Sequence, residues 1–142
     1  MSTIKEKEQE IINEFELFDD WMDKYNYLID LGKSVPAIAE EYKTEKYLIK
    51  GCQARVWLHA EYRDGIVIYR ADSDALITKG IIALLIRVLS HQPPKDIAEA
   101  DMAFIDEIGL KEHLSQTRSN GLVNMIKQIK LYALAFQKKE EA

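Results

Sequence analysis

The sequence predicts an α+β fold: a small antiparallel sheet of about three strands with helices packed against it. Three observations carry this expectation. Strand-like alternation is confined to the middle of the chain, between about Tyr47 and Ala71. A two-residue hairpin signal, Asp64-Gly65, falls inside that stretch. On both sides of it the apolar residues recur at helical spacing. Strands grouped together, with helices before and after, argue for α+β architecture rather than alternating βαβ units. The 142 residues fit one domain, 1–142, long enough for a sizeable core.

The N-terminal third reads as two helices. Ile4, Ile11, Phe15 and Phe18 fall near one face of the first. Asp19 or Asp20 can cap the second, where Trp21, Tyr25, Leu28 and Ile29 share a face. Gly32 stands where a helix C-terminal glycine belongs, and Pro36 blocks continuation. Tyr47-Leu48-Ile49-Lys50 then reads as a short strand. From Ala54 the pattern alternates, with Ala54, Val56, Leu58, Ala60 and Tyr62 on one face and Arg55, Trp57, His59, Glu61 and Arg63 on the other. Asp64-Gly65 accepts the positive φ angles of a tight hairpin turn, and Ile66–Ala71 returns antiparallel.

Asp72-Ser73-Asp74 ends the hairpin and offers side-chain caps to the next helix. That helix, about Ala75 to Leu89, is apolar nearly all round and so is expected at the buried centre. A short helix is expected from Pro94-Lys95-Asp96, and Gly109 marks a further helix end. The chain closes with a long amphipathic helix carrying Leu122, Met125, Ile126, Ile129, Ala133 and Phe136 on one face, its cap within Ser119-Asn120-Gly121.

Charge and composition exclude several functions. The net charge is −5, and no aromatic–basic interleaving or nucleic-acid-binding motif is present, so nucleic acid is not an expected partner. Residues 1–47 carry twelve acids against six lysines, whereas residues 118–139 carry five bases and no acid. No run is long and apolar enough for a membrane span, because Lys79 and Arg87 bracket the greasiest stretch. No apolar segment of the signal-peptide kind stands at the N-terminus, and a cytoplasmic location is expected.

Chemistry concentrates on Cys52, the sole cysteine, in Lys50-Gly51-Cys52-Gln53-Ala54-Arg55-Val56-Trp57-Leu58. One thiol forms no intramolecular disulfide and no cysteine-rich zinc or iron–sulfur site. Packing or reactivity remains, and a loop after a glycine at a strand mouth presents its sulfur. Lys50 and Arg55 flank it; positive charge favours thiolate and apolar burial opposes it. A cysteine hydrolase needs a histidine base, for which His59, His91 and His113 are the candidates, and no protease signature surrounds Cys52. The histidines and carboxylates lack metal-ligand spacing, so no metal is expected. The six glycines are scattered, without a phosphate loop.

The Gly51-Cys52-Gln53-Ala54-Arg55-Val56-Trp57 stretch, Ala71-Asp72-Ser73-Asp74-Ala75 with Lys79-Gly80 in the helix beyond, and Arg118-Ser119-Asn120-Gly121-Leu122 before the last helix closely resemble the SufE family. The resemblance covers nearly the whole chain; Asn120 stands where some members have glutamine. It implies a fold shared with scaffold proteins of the IscU type and a sulfur acceptor of iron–sulfur cluster assembly. Such a protein takes sulfane sulfur from a pyridoxal-phosphate cysteine desulfurase of the SufS type, stimulates that enzyme, and passes sulfur to a scaffold complex of the SufBCD type. It needs no cofactor of its own. Carried over by motif, Cys52 accepts the sulfur, Gly51, Gln53 and Trp57 belong to its motif, and Arg118 is the later arginine, with the thiolate or a partner as its contact. Asp72 and Asp74 are expected near the docking face. Tyr47-Leu48-Ile49 and Val56/Leu58 are expected to line an apolar shelter for a persulfide. The alternative is a self-contained cysteine-dependent enzyme, a thiol transferase or hydrolase; a pure adaptor is the third reading.

Overall fold

Thr3 opens the first helix with a capping box: its hydroxyl accepts from the Glu6 amide and the Glu6 carboxylate accepts from the Thr3 amide. The computed structural model describes residues 2–141. Helix α1 spans Ile4–Phe15 and buries Ile4, Ile11 and Phe15; Phe18 lies beyond its end. Helix α2, Trp21–Lys33, is capped by Asp20, whose carboxylate accepts from the Asp23 amide at 2.9 Å. Gly32 does not end this helix, as its position in the sequence suggested. It lies inside the last turn, and a Cβ there would stand 3.0 Å from the Gly80 amide nitrogen. Its role is therefore tertiary, to let α2 cross the next helix at backbone contact.

The sheet has two strands, β1 (Val56–Arg63) and β2 (Ile66–Ser73), antiparallel with Val56 opposite Ser73 and Arg63 opposite Ile66. Asp64 and Gly65 join them at φ +51° and +84°. The expected third strand at Tyr47–Lys50 is instead a 3-10 turn, Glu45–Tyr47, followed by a single bridge from Leu48 to Trp57. Val56, Leu58, Val67, Tyr69 and Ala71 are buried on the core side. The outer rim of β2 is not bare. The Val67 amide donates to Gln92 O, the Tyr69 amide to Ser90 Oγ and the Ala71 amide to Pro36 O, each at 2.9–3.0 Å.

Helix α3, Leu76–Leu89, is the buried centre, in contact with α1, α2, β2 and the last helix. Its expected aspartate caps are absent. Ala75 occupies the cap position, and Ser73 Oγ accepts from its amide, because both flanking carboxylates are engaged elsewhere. Arg87 on this helix reaches α1 with a two-pronged grip on Glu14 and a bond to the Tyr27 hydroxyl of α2. Short helices α4 (Pro94–Glu99) and α5 (Phe104–Glu107) follow, and Gly109 at φ +71° ends the latter.

Helix α6 runs Gln116–Glu141 and so begins one turn before the expected Ser119-Asn120-Gly121 cap. Ser115 performs the capping, its hydroxyl accepting from the Arg118 amide at 3.2 Å. Leu122, Met125, Ile129 and Ala133 bury its inner face. The Tyr69 hydroxyl, deep in the core, donates to Ile129 O at 2.8 Å and pins this helix to the sheet. Among the described residues no helix is long and apolar enough to cross a membrane.

Candidate functional site

The segment between Ile49 and Val56 is a loop closed at its base by the Ile49 amide on the Val56 carbonyl, 2.8 Å away. Gly51 turns it at φ +84°, a left-handed conformation that other residues adopt only with strain. Cys52 follows, half-buried, with its thiol directed at the Gly121 carbonyl of α6 at 3.6 Å. A Cβ on Gly121 would stand 3.5 Å from the sulfur, in ordinary van der Waals contact. Asn124, one turn further along α6, donates its amide to the Gly51 carbonyl at 3.1 Å.

The sulfur faces a cavity of about 250 Å³ lined by Gln53, Ala54, Ala75, Thr78, Ile81, Thr117, Arg118, Gly121 and Met125. The apolar surface expected from Tyr47–Ile49 and Val56/Leu58 is therefore supplied by other residues: Ala54, Ala75, Ile81 and Met125. Leu58 and Val56 point into the core instead, with no exposed surface to offer.

Burial pushes the Cys52 thiol above its ordinary range, and no nearby charge contributes. Arg55, its basic neighbour in sequence, is turned away. The Arg55 amide and Nε both donate to the Asp74 carboxylate, at 3.0 and 3.1 Å, and the Asp74 amide donates to the Arg55 carbonyl. Those bonds from Arg55 hold the Asp74 carboxyl below the usual range. In this conformation the sulfur is half-buried, and its burial disfavours the thiolate.

The residues singled out in the sequence divide into two groups. Cys52, Gln53 and Arg118 share the cavity, with Gly51 behind them. Trp57, Asp72 and Asp74 lie beside it and not in it. Asp72 pairs with Lys43 at 2.6 Å and Lys79 at 3.2 Å. Partial burial opposes its ionisation, but hydrogen bonds from Lys43, the Ser73 amide and Lys79 outweigh that and hold the carboxyl below its usual range. Trp57, across the ladder from Asp72, takes the Lys43 ammonium and the Arg55 guanidinium over its ring at 6.0 and 5.5 Å.

Arg118 is exposed at the cavity mouth, and among the described residues its guanidinium has no hydrogen-bond or ion-pair partner. A structural use of its five donors on loop carbonyls is thus not what the fold makes of it. None of the three histidines lines the cavity. His59 stacks on Tyr42, His113 stacks on Trp21, and His91 is exposed at φ +63°. No group of three or more His, Cys, Asp or Glu side chains among the described residues is placed to hold a metal ion.

Sequence reasoning missed Gly121 and Met125 as partners of Cys52 in the cavity. The signal was present: Arg118, Gly121 and Met125 stand at i, i+3 and i+7, one face of a helix, once the helix is begun at Gln116.

Comparison with known proteins places the chain in a family. The profile of the Fe-S metabolism associated domain, SufE, matches residues 9–133. An uncharacterised SufE-like protein of Rhizobium etli is 40% identical over 126 residues, covering 85% of each chain. One from Synechocystis is 36% identical over 127 residues, covering 89% of this chain and 80% of its own. SufE-like protein 1, chloroplastic/mitochondrial, of Arabidopsis thaliana is 36% identical over 95% of this chain but only 37% of its own length. The solution structure of a hypothetical protein from Thermus thermophilus superposes with a TM-score of 0.76 over 91% of this chain and 94% of that one; at 20% identity it speaks for the fold alone. A chain that matches the family profile over nearly its full length, and that sets its one thiol at the mouth of an apolar cavity, belongs to the SufE family of iron–sulfur metabolism.

Proposed function

We propose that this protein accepts sulfane sulfur on Cys52 from a pyridoxal-phosphate cysteine desulfurase of the SufS type, stimulates that enzyme, and delivers the sulfur to an iron–sulfur scaffold complex of the SufBCD type. The observation that carries this reading is a sole thiol held half-buried at an apolar cavity with no base beside it. A hydrolase would need a histidine within reach of the sulfur. A carrier needs only a nucleophile and a shelter, so the self-contained enzyme is the weaker reading.

In the transfer step the Cys52 thiolate attacks the outer sulfur of the desulfurase persulfide, in line with its sulfur–sulfur bond. A new bond forms between Cys52 Sγ and that sulfur. The old bond breaks, and its electron pair leaves on the desulfurase cysteine as thiolate. Charge and redox state balance without an added oxidant. The same burial that disfavours the resting thiolate then screens the carried persulfide, with Ala54, Ala75, Ile81 and Met125 as the lining. Arg118, exposed at the mouth, is positioned to meet the anionic sulfur or an acidic partner surface. The Asp72 and Asp74 cluster beside the loop belongs to the docking face. The protein acts in the cytoplasm and carries no metal or cofactor of its own.

Intact-mass analysis after incubation with a desulfurase and cysteine tests the reading. The wild type gains sulfur on Cys52, and Cys52→Ser gains none while keeping its melting temperature. Undiminished sulfur on the serine variant sinks the proposal.

A further inference from the structure

Two successive turns of α6 touch the cysteine loop, and they do so differently. Gly121 offers its carbonyl to the Cys52 thiol at 3.6 Å, a long and weak contact of a poor donor. Asn124 makes a normal hydrogen bond, its Nδ2 to the Gly51 carbonyl at 3.1 Å. Gly51 is also the residue whose positive φ aims the sulfur inward. Nor could another residue replace it without disturbing the bond: a Cβ at Gly51 would fall inside the Asn124 amide. Asn124 is itself half-buried and lines a second hollow that shares no residue with the thiol cavity, with Ile49, Lys50, Lys127, Gln128 and Leu131. The loop is thus held between two hollows by one conventional hydrogen bond from α6.

We propose that Asn124 is a positioning residue that latches the Cys52 loop in its sheltered conformation through the Gly51 carbonyl, so that release of this bond governs access to the thiol. Water or a partner's donor entering the groove replaces the Asn124 amide, the Gly51 carbonyl is freed, and the loop turns outward about Gly51. Asn124 touches neither the sulfur nor the cavity, and it acts only through Gly51.

Alkylation of Cys52 by iodoacetamide, followed by mass spectrometry on the full chain with no other protein present, reads the latch directly. Asn124→Ala removes the donor; Asn124→Asp keeps the shape and places an acceptor against the carbonyl. Both are expected to speed alkylation roughly fivefold, the factor that matches the ordinary net worth of one neutral hydrogen bond. Gly51→Ala forces the Asn124 side chain aside and is expected to match or exceed them, whereas adding Asn124→Ala to it brings little further gain, since the bond is already broken. Low denaturant separates a latch from a general loosening. Faster alkylation that is flat in urea below the unfolding transition supports the latch. Faster alkylation that climbs with urea in step with global unfolding overturns it, and so do rates within twofold of wild type in both Asn124 variants. The inference takes its meaning from Cys52 as sulfur acceptor, but the assay contains no desulfurase, so failure of the latch and failure of the acceptor reading appear in separate experiments.

Discussion

Glycine brings backbone close to neighbour in two places, with opposite mechanical results. Where α2 crosses α3, Gly32 and Gly80 remove two side chains and let the helices touch main chain to main chain, within an apolar surround that includes the buried Leu28, Ile81 and Leu84. Where the cysteine loop meets α6, Gly51 lies tight against the Asn124 side chain and Gly121 in ordinary contact with the sulfur, but the contact is half-buried, bordered by two hollows and made of two polar bonds. The first junction can separate only if the core comes apart. The second can open at the cost of about one hydrogen bond. Close approach alone does not make a rigid joint; the dry surface around it does.

The largest effect separating the two regions is expected at the crossing. A Cβ on Gly80 would overlap the Leu28 carbonyl, which is backbone and cannot turn aside. Gly80→Ala should therefore cost about 3 kcal/mol or more of stability, readable as a lowered urea midpoint with an unchanged slope. Below that transition Cys52 alkylation should stay at the wild-type rate; a stable Gly80→Ala protein would show that the crossing yields more readily than its geometry implies.

Next in size is Arg118, which lines the thiol cavity and to which the proposed function gives a part in sulfur acceptance. Arg118→Ala should leave the melting temperature in place and slow sulfur acceptance roughly tenfold, the size of one charge-assisted contact. Arg118→Lys should restore much of the rate if a point charge suffices and little if the forked guanidinium is needed. An alanine variant with wild-type acceptance removes Arg118 from the site.

The smallest effect is in pH. Burial raises the Cys52 pKa, so the resting loop disfavours thiolate, and alkylation should climb with pH along a curve displaced to the alkaline side of a free thiol. The sign for stability follows. Because the folded thiol holds its proton more tightly than the unfolded one, its contribution is fully present below the unfolded pKa and fades as pH rises through the folded value. Opening the latch should move the alkylation curve back towards the free-thiol position; coincident curves for Asn124→Ala and wild type would mean that burial persists without the bond.

What the sequence made legible was local chemistry with no rival use. Asp64-Gly65 had one way to turn, and both residues take positive φ. The apolar run of α3 had one place to go, the centre. The Gly-Cys-Gln loop and the later Arg-Ser-Asn-Gly block stood out as motifs, and Cys52, Gln53 and Arg118 do share a cavity. The misreadings have a common physical cause: a residue suited to a local task was claimed by a distant partner. Asp74 could have capped α3, but Arg55 holds its carboxylate, and Asp72 is held by Lys43 and Lys79. Ser119 and Asn120 could have started α6, but the Ser119 hydroxyl donates to Lys111 O and Asn120 accepts from Gln116 within a helix already under way. Gly32 could have ended α2, but α3 needs its missing side chain. Tyr47–Lys50 was too short for its alternation to outweigh a 3-10 turn. Asn124 left no local trace, since its partner lies 73 residues away.

The stitched rim of β2 bears on how such a protein meets others. Two-stranded ribbons tend to recruit a third strand from any passing chain, by zippering main chain to main chain. Here Pro36, Ser90 and Gln92 have already taken the outward amides of Ala71, Tyr69 and Val67. Encounters along that rim are left to side chains and shape, which can be matched to one visitor and let go again.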